Sequence, residues 1–133
     1  MLKSLPPQGS QNGYDNSGQR TPNPQWALNG TDVNRTINDL VFLANSTVGL
    51  IDILELLNES AGFISADWVA VTRQFFQDAY IAIRAAVGPD LLIMIGDAFQ
   101  GVDAWQGFLT ANTGATGVLM DWVRLFVLFI SVN

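Results

Sequence analysis

Cysteine and histidine are both absent from this 133-residue chain, and lysine and arginine together number only 6. Without cysteine there is no disulfide and no thiolate metal site. Without histidine, the commonest general base, the Ser-His-Asp triad and nearly all zinc chemistry are excluded as well. Metal ions and cofactors are therefore not expected. The 6 basic residues face 12 acidic ones, a formal net charge of -6, which is the wrong sign for a phosphate-binding surface and excludes nucleic acid as a partner. Catalysis would have to rest on carboxylates, amides, hydroxyls and aromatics. Charged residues make up 14% of the chain and apolar residues 49%, a balance that excludes disorder for most of it. The length fits one domain at most.

Long apolar runs are scarce. Met1-Leu2-Lys3-Ser4 leads straight into Pro6-Pro7, without the apolar stretch of a secretory signal, so no leader is expected. The run from Leu125 to Val132 is shorter than the roughly 20 residues of a bilayer span. It reads as a buried strand, and no membrane span is expected.

Periodicity organises the rest. Residues 6–30 are rich in Pro, Gly, Asn, Ser and Gln, and predict a long loop or a disordered tail. Thr31 or Asp32 would cap a helix with Val33, Ile37, Leu40, Val41 and Ala44 on one face. The run Leu50–Leu57 predicts a strand buried on both faces, as in a parallel sheet. Ser65 would cap a second helix from Ala66 to about Ala86, with Trp68, Val71, Phe75, Phe76, Ala79, Ile83 and Val87 inward. Gly88-Pro89 would stop it. Leu91–Ile95 predicts a second strand ending at Gly96-Asp97, followed by a short helix or loop through Ala104-Trp105. A third apolar segment begins at Gly117. Strands alternating with helices at this spacing predict a parallel α/β sheet. Three to four strands would gather their polar residues at the strand C-termini, where ligands bind such sheets.

Glu59 is the leading candidate among the carboxylates. It lies where a buried strand emerges, and partial desolvation there would raise its pKa toward that of a general acid. A carboxylate at this place also serves simply to cap the loop or the next helix. Asn58 beside it is suited either to a sugar hydroxyl or to holding the carboxylate. Glu55, four strand residues back at about 3.3 Å each, would sit roughly 13 Å away. That is too far to partner Glu59 directly, and a buried structural acid is expected. Asp97 and Asp121, at the next two strand ends, would either face the same pocket from behind or act as caps and acceptors. Trp26, Trp68, Trp105, Phe99 and Phe108 read as core. Tyr14 stands alone in a polar loop, a setting compatible with stacking on a sugar ring.

Gly9-Ser10-Gln11-Asn12-Gly13-Tyr14-Asp15-Asn16-Ser17-Gly18-Gln19-Arg20 resembles the loop after the third strand in fungal exo-1,3-β-glucanases of glycoside hydrolase family 5. Glu55-Leu56-Leu57-Asn58-Glu59 resembles that family's fourth-strand motif, ELLNEP. Ile93-Met94-Ile95-Gly96-Asp97-Ala98-Phe99-Gln100, with Trp105 and Phe108-Leu109-Thr110, resembles its fifth-strand region. The resemblance runs from residue 9 to about 121, while 1–8 and 122–133 diverge. It implies a fragment of one glycosidase catalytic domain: part of a (β/α)8 TIM barrel, with about three to four parallel strands and intervening helices. It further implies a secreted or cell-wall enzyme of glucan catabolism and cell-wall organisation. Such an enzyme releases glucose from the non-reducing ends of β-1,3-glucan with retention of configuration. Glu59 would then be the acid/base, Asn58 a sugar contact, and Tyr14 part of an aromatic entrance flanked by Asp15 and Asn16.

The departures carry their own expectations. Leu5 stands where the family has His, Ser60 where it has Pro, and Val123 and Leu125 where it has His and Tyr. The nucleophilic glutamate of a seventh strand is not among these residues. Retaining hydrolysis needs two carboxyls about 5–5.5 Å apart, and a closed barrel needs about 250 residues. The alternative expectation is therefore a non-catalytic remnant, at most weakly glucan-binding, whose open sheet edges invite self-association. Four sequons start at Asn29, Asn34, Asn45 and Asn58, and the last would be unused if its strand is buried.

Overall fold

The structure, a computed structural model, describes residues 24–28 and 30–122. A 3-10 turn at Trp26–Leu28 precedes helix α1, Gly30–Ser46. Strand β1 (Ile53–Glu55), helix α2 (Ala66–Val87) and strand β2 (Leu92–Gly96) follow. Two further 3-10 segments, Val102–Trp105 and Ala111–Thr113, lead to strand β3, Val118–Asp121. The three strands form one parallel sheet in the order β1-β2-β3. This is the α/β arrangement expected, an open arc of parallel strands of the kind from which a (β/α)8 barrel is built.

Helix α1 starts earlier than its sequence suggests. Thr31 and Asp32 lie inside the first turn, where an acid favours the positive end of the helix dipole. The Asp32 carbonyl accepts a bond from the Thr36 hydroxyl at 2.8 Å, and Thr36 accepts the Trp26 indole N–H at 3.1 Å. Helix α2 follows its signals. The Ser65 hydroxyl accepts the Trp68 amide at 3.1 Å, and Gly88 closes the helix at φ 77° with its N–H on the Arg84 carbonyl. A positive φ there suits glycine.

Strand β1 is shorter than the apolar run that predicted it. Leu50 is 80% exposed, and pairing starts only where Leu92 meets Ile53. Nor are both faces covered alike. Leu54, Leu56, Ile93 and Ile95 are buried with Trp68, Phe75 and Phe76 of α2, and Val118 and Met120 pack against them. Across the sheet, Ile53 and Met94 are half-buried and Leu119 is exposed. The helices cover one face among the described residues.

Arg84 ties the other end of the layer together. Its guanidinium donates to the carbonyls of Leu91 at 2.6 Å and Thr116 at 2.9 Å, binding the end of α2 to the starts of β2 and β3. No helix among the described residues is long and apolar enough to cross a membrane. The Leu125–Val132 run lies outside them.

Candidate active site

The three strands end on the same side of the sheet, and the polar residues gather there. Glu55, Glu59, Gly96, Asp97, Ala98, Phe99 and Asp121 line one concavity of about 10 Å3. That is room for roughly one water.

Pairing in β1 ends at Glu55, and the chain bends through 56–59 instead of continuing as a strand. Glu59 takes φ 49°, a left-handed conformation unusual for a residue with a side chain. Such a conformation costs on the order of 1–3 kcal/mol and persists only where the surroundings impose it. Glu55 and Glu59 line the same small concavity. Glu55 is buried, at 3% exposure, and Glu59 and Asn58 are half-buried.

Asp97 is buried, and both its carboxylate oxygens are committed to the backbone. Oδ1 accepts the Phe99 amide at 3.1 Å and Oδ2 the Gly101 amide at 3.0 Å. Its carbonyl accepts the Trp105 indole N–H at 2.8 Å, and its own amide donates to the Asp121 carbonyl at 3.2 Å. Of the two roles open to it, Asp97 fills that of loop cap. The cap holds Ala98 and Phe99 at φ 50° and 59°. Asp121, the last residue of β3, is half-buried beside it.

The loops after β1 and β2 interlock at Gly62. A Cβ at that position would stand 2.3 Å from the Ala98 carbonyl oxygen, so only glycine fits. Beside it Phe63, half-exposed at 53%, meets Phe99 edge-on with ring centroids 5.4 Å apart. Trp26, Trp68 and Trp105 are core as expected, whereas Phe99 and Phe108 are half-buried.

Sequence reasoning did not find the anchor behind Glu59. Ser60 is buried, at 3% exposure. Its hydroxyl accepts the Trp68 indole N–H at 3.1 Å and lies 2.7 Å from the Thr72 hydroxyl. The signal was the serine in the place of a proline, together with Thr72 on the inward face of α2. Tyr14, Asp15 and Asn16 lie outside the described residues. No group of three or more His, Cys, Asp or Glu suited to a metal ion occurs among the described residues.

Known proteins share this sequence at length. Over 116 residues the chain is 32% identical to glucan 1,3-beta-glucosidase I/II of Saccharomyces cerevisiae, covering 85% of this chain and 26% of the yeast protein. Over 122 residues it is 34% identical to the glucan 1,3-beta-glucosidase of Yarrowia lipolytica, covering 85% and 27%. Over 109 residues it is 36% identical to that of Schwanniomyces occidentalis, covering 78% and 24%. The chain is related to the fungal glucan 1,3-beta-glucosidases. It spans about a quarter of the length of the curated relatives it matches. No protein-family model matches it.

Proposed function

We propose that the chain carries the acid/base of a retaining β-1,3-glucan exo-glucosidase, with Glu59 as the proton donor. The observation that carries this reading is the place of Glu59: half-buried at the C-terminal rim of a parallel sheet, in a chain related to glucosidases. In the first step Glu59 gives its proton to the departing glycosidic oxygen while a second carboxylate attacks the anomeric carbon. In the second step Glu59 takes a proton from water as that water cleaves the glycosyl-enzyme. Asn58 contacts the sugar beside the scissile bond, and Tyr14, Asp15 and Asn16 form part of its approach. Asp97 is unsuited to be the attacking carboxylate, since both its oxygens hold backbone amides. Asp121 backs the rim. The nucleophile comes from a part of the barrel other than these three strands. The substrate class is β-1,3-glucan, and the setting is the cell wall or its exterior.

Release of glucose from a laminarin-type glucan tests this reading, measured with the chain joined to a barrel segment that supplies the second carboxylate. Glu59→Gln is expected to lower the rate about 10²–10⁴-fold. Wild-type release no faster than the buffer blank would contradict it.

A second reading has a specific observation behind it: the concavity holds about 10 Å3, too little for a sugar. The chain then binds glucan weakly without cleaving it, through Tyr14 and its loop. Pull-down on insoluble β-1,3-glucan that falls in Tyr14→Ala supports this reading, and unchanged pull-down ends it.

A further inference from the structure

We infer that Ser60 is a positioning residue for Glu59: its buried hydroxyl straps the loop after β1 to α2 and fixes the backbone conformation that turns Glu59 into the concavity. The importance of that conformation rests on the proposed acid/base role of Glu59.

The hydrogen-bond directions follow from the donors present. The Thr72 hydroxyl donates to the Trp68 carbonyl at 2.9 Å. Its single proton is thereby used, so at the 2.7 Å contact Ser60 donates and Thr72 accepts. The Trp68 indole N–H in turn donates to Ser60 at 3.1 Å. Ser60, Trp68 and Thr72 thus form a closed chain of hydrogen bonds in which each side chain has a partner. Ser60 and Thr72 are 3% and 0% exposed, and Trp68 is 1% exposed. Trp68 is itself fixed at the first turn of α2, where its amide bonds the Ser65 cap.

The strap pulls on a short lever. One residue before it, Glu59 holds φ 49°. Two residues after it, the Gly62 amide donates back to the Ser60 carbonyl at 2.8 Å, closing a tight turn. Gly62 then packs under the Ala98 carbonyl. With the Ser60 side chain locked in the core and the turn closed behind it, Glu59 has little freedom to relax toward negative φ. Without the hydroxyl that constraint is lost, and an ordinary backbone conformation lies lower in energy.

Nuclear magnetic resonance on the full chain tests this. Positive φ brings a residue's own amide and α protons together and gives a strong intraresidue NOE. Wild type is expected to show it at Glu59, and Ser60→Ala and Thr72→Val to lose it. Thr72→Ser keeps the hydroxyl and is expected to keep the NOE. Thr36→Ala is the matched control, because it breaks an equivalent buried bond from the Trp26 indole away from Glu59. In Ser60→Ala and Thr72→Val, with the second carboxylate supplied by a joined barrel segment, kcat for glucose release is expected to fall about 10²-fold with KM within about twofold. A strong Glu59 NOE retained in whichever of Ser60→Ala and Thr72→Val folds overturns the inference. So does its loss in Thr36→Ala, which would mark general loosening. Glucose release at the wild-type rate by Glu59→Gln in that assay would sink the acid/base reading alone, since the NOE comparison needs no turnover.

Discussion

Glu59 and Asp97 are both acids beyond a strand end, four residues after β1 and one after β2, yet their surroundings divide the work between them. Asp97 is buried and spends each oxygen on a backbone amide, which fixes the loop that carries Ala98 and Phe99. Glu59 is half-buried in a bend and lines the concavity. Asp97→Ala is therefore expected to destabilise the fold by about 2 kcal/mol, since two part-buried amides lose a charged acceptor. A urea midpoint unchanged from wild type would contradict the capping role. At Gly62 the expectation comes from contact alone. Gly62→Ala would press a methyl group onto the Ala98 carbonyl, which its Cβ would approach to 2.3 Å, and is expected to cost about 1–3 kcal/mol. Thermal unfolding within a degree of wild type would refute it.

At the scale of elements, the sequence was legible where local chemistry decides. The Ser65 cap, the Gly88 stop, the core stripe of α2 and the positions of β2 and β3 follow from spacing and end signals. Strand β1 was read too long, because an apolar run shows what tolerates burial and not which residues find a partner strand. Its true end at Glu55 depends on register with β2. The bend to Glu59 and the Ser60 strap depend on α2 lying against the loop, which single-residue preferences do not encode. At the opposite end of the sheet, Tyr80 offers a pH test. Partial burial pushes its hydroxyl up, but bonds with the Thr116 backbone and the Arg84 guanidinium outweigh this and hold it below the usual 10. A depressed pKa adds stability that is complete above about 10 and is lost as pH falls through the folded value. The stability difference between wild type and Tyr80→Phe is thus expected to widen in favour of wild type as pH rises to 10. A difference independent of pH would contradict it.

At the scale of the whole molecule, the sheet among the described residues is an open arc of three strands. Among the described residues β1 and β3 have no outer neighbour, and Leu119 on β3 is 39% exposed. Phe42 on α1, and Val48 and Leu50 just after it, add exposed apolar surface at 72%, 62% and 80%. Open strand edges template pairing with a second chain. Sedimentation of the purified protein is expected to show mass rising with concentration, and Leu119→Lys to weaken the effect. A monomer at all concentrations would contradict this.

Azide rescue reaches the proton-transfer role of Glu59 most directly. In Glu59→Ala, joined to a barrel segment that supplies the nucleophile and assayed with a β-glucoside whose leaving group needs no acid, the first step survives while water attack on the glycosyl-enzyme lacks its base. Added azide is then expected to restore turnover and to yield the β-glucosyl azide, with configuration retained. An α-glucosyl azide, or no rescue at all, would contradict the assignment of Glu59 as acid/base.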